Sequence, residues 1–302
     1  MLPDHRTRRE SSVSKLAVIT PSYAQDVELF ADLHRSVLEF TSDDTIHHVF
    51  VPPGDREAFA RFEGPRCHVW VRSELLPRRY LRMPGTDLYV NYRRPWPPLR
   101  GWVMQQTVKI ASAGLIDADA MLVVDSDAVL VRPTGVESFS RDGRLCLYRL
   151  ENGVTAEMKR HVIWHQVARD LLGLPPSPPP PLPDYVTALT FWDPEVVRAM
   201  QRRITQVTGR DWLDVFNSRL HVSEFILYGV FVDEVLKADL PVNTTICHLS
   251  YNHEPWDEAT ATAFADRLPP DAVGMMISAK SHTPMEVRQA AIRRCAQVVE
   301  SS

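Results

Sequence analysis

No apolar run in this 302-residue chain reaches the roughly 20 residues that a membrane-crossing helix needs. Its four cysteines, Cys67, Cys146, Cys247 and Cys295, are scattered without the paired spacing of a metal site, so reduced thiols in a cytoplasmic protein are expected. The start, Met1 to Ser14, is polar and basic but lacks the apolar centre of a secretion signal; a loose tail is expected there. A strong excess of one charge is also missing. The net charge of −4 gives no electrostatic case for a nucleic-acid partner. There is no internal repeat. What remains, 44% hydrophobic and 24% charged residues, is the make-up of a globular domain. Arginine heavily outnumbers lysine, which suits bidentate contacts to carboxylate or phosphate.

Short apolar runs alternate with helical patterns. Strands are expected from Lys15 to Thr20, Ile46 to Val51 and His68 to Val71, with helices from Asp26 to Phe40 and Arg56 to Phe62 between them. That alternation predicts an α/β fold with a mostly parallel central sheet covered by helices. Leu76 to Arg100 breaks the rhythm; it is rich in proline, arginine and aromatics and reads as a long ordered loop. Gly101 to Gly114 resumes as a helix. Its apolar stripe is Met104, Val108, Ala111 and Leu115, and Trp102, Gln106 and Lys109 fall opposite. Further on, a strand at Leu145 to Leu150 and a helix at Thr155 to Leu172 precede a stiff connector, Pro175 to Pro183. A strand at Asp184 to Phe191 is followed by a helix opening at Asp193-Pro194. Ser223 to Lys237 reads as a helix, Thr244 to Leu249 and Val273 to Ser278 as strands. Thr283-Pro284-Met285-Glu286 has the spacing of a capping box that would open a C-terminal helix. The proline-dense stretch does not divide two self-contained patterns, so 15–302 is taken as one domain.

The most pointed feature lies mid-chain. The buried-strand run Met121 to Val124 ends in Asp125-Ser126-Asp127. Carboxylates are costly to bury without a partner, and two of them on one side of an extended backbone suggest a cation between them. Oxygen donors suit Mg²⁺ or Mn²⁺, with a phosphate completing the shell. The competing reading is a turn in which the aspartates serve backbone donors.

Ends of parallel strands are where open α/β sheets bind ligands. Three polar groups stand at such ends: Thr20, Pro21, Ser22 and Tyr23 after the first strand, the Asp125–Asp127 motif, and Lys280-Ser281-His282 after the last. Their convergence is the physical hypothesis. Lys280, beside a helix start that attracts anions, would add charge for a diphosphate. His282 is a candidate third metal ligand, with His248 as competitor. Glu224 and Tyr228 share a helical face, and Glu224 is a candidate general base. Lys109 is a candidate phosphate contact. Trp192, Trp212 and Trp256 are candidates for stacking on a sugar ring, with core packing as the alternative.

The succession Leu16-Ala17-Val18-Ile19-Thr20-Pro21-Ser22-Tyr23, Gln105-Gln106-Thr107-Val108-Lys109, Asp125-Ser126-Asp127 and Ser223-Glu224-Phe225-Ile226-Leu227-Tyr228-Gly229 resembles the GT-A class of nucleotide-sugar glycosyltransferases. More narrowly, it is similar to bacterial proteins of the DUF6492 type. The resemblance implies a GT-A-like (Rossmann-like) domain and a hexosyl transfer from a nucleoside diphosphate sugar to a hydroxyl or amine of a small-molecule or glycan acceptor. It implies that Asp125 and Asp127 form a DXD motif holding Mn²⁺ or Mg²⁺ against the donor. Thr20 to Tyr23, Lys109, Ser126 and Lys280 would meet the nucleotide donor, and Trp192 and Tyr228 the acceptor. His282 would complete the metal site, although no glycine-rich run follows it here. Glu224 would deprotonate the acceptor if configuration inverts, or only orient a substrate if it is retained. Two rivals stand beside this reading: a haloacid-dehalogenase-like phosphatase with Asp125 as nucleophile, and a non-catalytic nucleotide- or sugar-binding protein. Oligomeric state is left open.

Overall fold

The computed structural model describes residues 15–86 and 88–301; the tail expected over 1–14 lies outside the described residues. Four strands, β1 (Leu16–Pro21), β2 (Ile46–Val51), β3 (Cys67–Val71) and β4 (Ala120–Val124), run parallel in the spatial order β4–β1–β2–β3. After a turn at 125–127 the chain leaves this sheet as β5 (Ala128–Leu130). An antiparallel edge strand, β6 (Leu189–Trp192), completes the first sheet beside β4. β7 (Cys247–Ser250) and β8 (Gly274–Ile277) run parallel to each other, and β8 pairs antiparallel with β5 to make a second, three-stranded sheet. The Asp125–Asp127 turn is therefore the bridge between two sheets.

Both faces of the first sheet are covered, as its unbroken apolar strands require. Leu16 and Val18 of β1, with Leu122 and Val124 of β4, pack under Phe30, Leu33 and Val37 of α1 (Val27–Phe40). The alternate residues, Ala17, Ile19, Met121 and Val123, face Met104 and Val108 of α2 (Gly101–Ala111). Successive strand side chains point to opposite faces, so one short run feeds two cores. On the α2 side lie also α3 (Lys159–Leu172), α4 (Pro194–Thr208) and α5 (Glu224–Val230). α4 starts as expected, with Asp193 accepting from the amides of Glu195 and Val196. α5 lies close against Tyr185: a Cβ on Gly229 would come within 2.1 Å of that ring, so only glycine fits. The C-terminal α6 (Met285–Glu300) packs on the second sheet through Val287, Ala291 and Cys295. All four cysteines are free and buried.

Several expectations are corrected. Leu76 to Arg100 is not a loop but three short antiparallel strands, Tyr80–Arg82, Tyr89–Asn91 and Arg94–Leu99; prolines and short lengths hid their alternation. α2 is buried on nearly all sides: Gln106 and Lys109, read as its outer face, lie inside, while Leu115 of the expected stripe is exposed. The run Leu145 to Leu150 is not one strand; Leu150–Val154 instead pairs with Leu182–Asp184. The Ser223 helix continues beyond α5 as a π-helical segment, Phe231–Leu236. Thr283 does not cap α6; its hydroxyl accepts the Trp256 amide, and Pro284 takes the cap position.

Candidate active site at the Asp125–Asp127 turn

The three segments named from the sequence do converge, and identifiable contacts tie them together. Ser126 Oγ donates to Asp26 Oδ2 (2.9 Å), joining the turn to the loop after β1. This is why Asp26 does not cap α1 with its side chain. Asp127 Oδ2 accepts the Ala279 amide (2.7 Å), joining the turn to the Lys280–His282 segment after β8. The Asp125 amide donates to Ala188 O (2.9 Å), continuing the β4–β6 pairing to its last residue.

Asp125 and Asp127 sit in different surroundings. Asp125 keeps 40% of its side chain exposed, and its Oδ1 lies 2.8 Å from Lys109 Nζ. Asp127 is half-buried: loss of solvent around its carboxyl first, and the Asp125 charge second, push it up to about 6. The backbone carbonyl of Asp127 accepts from Arg288 Nη2 (3.0 Å), a guanidinium that α6 carries inside, where it faces Asp26, Asp32 and Asp127. Sequence reasoning missed Arg288. It belongs to an amphipathic helix pattern and carries no local signal of a role.

Lys109 is the other surprise. Only 4% exposed, it bridges Asp125 and Glu224, the latter at 2.9 Å, and its ammonium lies over the Phe225 ring at 4.4 Å. Burial opposes its charge, but Asp125 and Glu224 outweigh burial and raise its pKa above the ordinary lysine value. Glu224 is equally buried, at the first position of α5, and its amide donates to Gln106 Oε1 (3.2 Å). Thus Lys109 is a buried link between the acidic turn and α5, not a lysine in solvent.

The remaining candidates divide. Thr20 is fully buried and its hydroxyl meets His47 Nε2 (2.9 Å); it faces the core instead of a ligand. His47 in turn meets His34, Nδ1 to Nδ1, at 3.1 Å. Pro21 and Ser22 are buried too, the Ser22 hydroxyl having no partner, so the half-buried Tyr23 is the part of this loop nearest solvent. Lys280 and His282 are exposed, and His282 closes its turn at a φ of 50°. His248 is packed: its ring stacks on Phe264 and its Nε2 donates to Phe264 O (2.9 Å). Trp192 and Tyr228 require the clearest correction. They stack on each other beneath α5, 2% and 5% exposed, and Tyr228 OH accepts the Asp193 amide (3.2 Å). Core packing has taken the surfaces that an acceptor sugar would need. Trp256 is likewise buried, against Phe264.

The donor set fits a hard divalent ion as a partial site: two carboxylates at one turn, one held by a lysine and one by an amide. Among the described residues, no group of three His, Cys, Asp or Glu side chains is arranged to hold a metal. A shell completed by ligand oxygens is what such a pair requires.

No curated protein matches this chain by sequence. Among solved structures it is similar to mouse xyloside xylosyltransferase 1 in its apo form, with 12% identity over 90% of this chain and 99% of that one and a TM-score of 0.44. It is also similar to the galactosyltransferase LgtC in complex with donor and acceptor sugar analogues, with 12% identity over 94% and 95% of the two chains and a TM-score of 0.44. Residues 12–250 match DUF6492, a family of unknown function, and the chain belongs to that family.

Proposed function

We propose that this protein is a divalent-metal-dependent glycosyltransferase that moves a sugar from a nucleoside diphosphate sugar to a hydroxyl or amine acceptor. The observation that carries the reading is the convergence at one turn of Asp125 and Asp127, the loop after β1 and the Lys280–His282 segment, through the Ser126–Asp26 and Asp127–Ala279 contacts. Asp125 and Asp127 would hold Mn²⁺ or Mg²⁺, which when bound supplies Lewis acidity toward a departing diphosphate. Lys280, exposed and next in sequence to the Ala279 amide that Asp127 accepts, would add positive charge to that diphosphate, and His282, exposed on the same segment, is the candidate nitrogen ligand. Tyr23 would meet the nucleoside.

Glu224 is a positioning residue in this reading, neither the base nor a substrate contact. Its carboxylate is buried on Lys109, so it holds that lysine, and through it Asp125, in place. A base has to reach an acceptor's proton, and this carboxylate faces inward.

The test is a thermal-stability screen of nucleoside diphosphates with and without Mn²⁺, followed by turnover of the matching sugar donors. Binding only to the folded state raises apparent stability. Metal-dependent stabilisation by one nucleotide, with release of its sugar, is expected. Metal-dependent binding without turnover on any acceptor would make this a binding protein, and a trapped phosphoaspartate at Asp125 would make it a phosphatase.

A further inference from the structure

The segment from Leu76 to Arg100 has no part in the proposed activity, yet it holds the most unusual surface of the molecule. Its three strands are fastened on one side. Tyr89 and Leu99 are buried, and Asp214, on the short helix Trp212–Asn217, accepts from Arg79 Nε (2.8 Å), Tyr80 OH (2.9 Å) and Asn91 Nδ2 (2.9 Å). The inner face is thus locked to the domain.

The outer side is apolar and basic. Leu81 is 56% exposed, Met83 41%, Tyr92 59% and Trp96 75%, the last being the most exposed large hydrophobic side chain among the described residues. Leu81 stands directly across from Val90, and Met83 follows it on the same side of the strand direction. In sequence, residues 76–100 carry six arginines and one acid, a charge of +5 within a chain whose total is −4; Arg94 stands across from Asn91 and borders the cleft over Asp214, and Arg78 and Arg93 are exposed. Arg79 is used internally, with Asp211 and Asp214. Among the described residues, Arg78, Arg82, Arg93, Arg94 and Arg100 form no ion pair.

We propose that this face docks on the surface of an anionic phospholipid bilayer. The chemistry is complementary in both respects. Tryptophan and tyrosine present a ring with a polar tip, which suits the headgroup level, while Leu81 and Met83 enter the apolar boundary below it. Guanidinium groups pair with lipid phosphates, and their stems lie along the apolar surface. The rest of the chain is net negative, so an anionic surface attracts this face and repels the others. A single-stranded nucleic acid would use the rings and the arginines but leave Leu81 and Met83 without a partner. The inference does not rest on the transferase reading.

The test is flotation of the full-length protein with vesicles of phosphatidylcholine alone, or of phosphatidylcholine and phosphatidylglycerol in equal parts, at low and high salt. Binding to the anionic vesicles only, weakened by salt, is expected. The Arg78→Gln, Arg93→Gln double variant should bind about thirtyfold more weakly, and Trp96→Ala several-fold more weakly. Both sites are exposed, and a circular dichroism spectrum unchanged from wild type verifies the fold. Equal binding to both vesicle types, binding to neither, or full binding by both variants would overturn the proposal. So would binding of a single-stranded RNA oligonucleotide in place of vesicles.

Discussion

Replacing Lys109 by methionine keeps an unbranched side chain only one atom shorter and deletes its charge. The consequence can be worked from the geometry. The ammonium lies 2.8 Å from Asp125 and 2.9 Å from Glu224, with Lys109 and Glu224 side chains 6% and 5% exposed. At an effective dielectric constant of about 20, each contact corresponds to about 6 kcal/mol of Coulomb attraction, most of it offset by desolvation. What remains after deletion is a carboxylate, Glu224, buried without its counter-charge. Breaking a buried pair this way costs about 3–5 kcal/mol. In a chain of this size that lowers Tm by roughly 10 °C. Asp125 adds less, because it is 40% exposed and water reaches it. Removing both charges, in Lys109→Met with Glu224→Gln, leaves no orphaned ion on α5 and should restore at least half of the loss. Urea unfolding followed by circular dichroism measures both variants. A loss below about 1 kcal/mol for the single variant, or a double variant less stable than the single, would refute the buried bridge.

Other consequences are as direct. Arg288→Met removes the donor to the Asp127 carbonyl and the cation nearest its carboxylate, so the affinity for Mn²⁺ with a nucleoside diphosphate should fall about 10–100-fold, as for other groups that orient a metal ligand. Titration calorimetry measures it, and Arg288→Lys should recover part of the affinity if charge near Asp127 is what matters. Stability should fall as pH falls. Burial, and secondarily the Arg66 charge, depresses His34 to about 4; burial, with His68 and Lys15, does the same to His48. The unfolded chain titrates these groups near 6.5 and takes up protons that the fold refuses, so stability is complete above about 6.5 and is lost as pH drops toward 4. The slope approaches about 1.4 kcal/mol per pH unit for each histidine. Urea midpoints from pH 8 to pH 5 should show it, and a flat profile would contradict the neutral His34–His47 contact.

How far the chain was legible depended on whether a signal was local. The strands Ile46–Val51 and Ala120–Val124 are short apolar runs between turn residues, and any reading of period finds them. The start of α4 was equally plain, since Asp193 and Pro194 act on their own neighbours. The Asp125–Asp127 turn was visible because carboxylates after a buried strand need a reason. Lys109 was misplaced because α2 lies between the sheet and α5, and a helix buried all round has no polar face; its lysine is tolerated only by partners 16 and 115 positions away. For Trp192 and Tyr228 the sequence leaves ligand-facing and core positions both open, because an aromatic ring suits a sugar and a core alike, and only packing decides. Arg288 lies beyond the residues matched by the family, 12–250, and its contact spans 161 positions, so nothing local could reveal it.

The central claim is that Asp125 and Asp127 hold a divalent ion against a diphosphate. Asp127→Asn tests it most directly, because the amide oxygen still accepts from Ala279 while the charge is gone. Titration calorimetry of the nucleoside diphosphate that best stabilises the protein, with and without Mn²⁺, is the measurement. The account predicts metal-dependent binding by the wild type and none by the variant, whose Tm without ligand is at least that of the wild type, since a poorly solvated and repelled charge has been removed. Equal metal-dependent affinity in both proteins would contradict it.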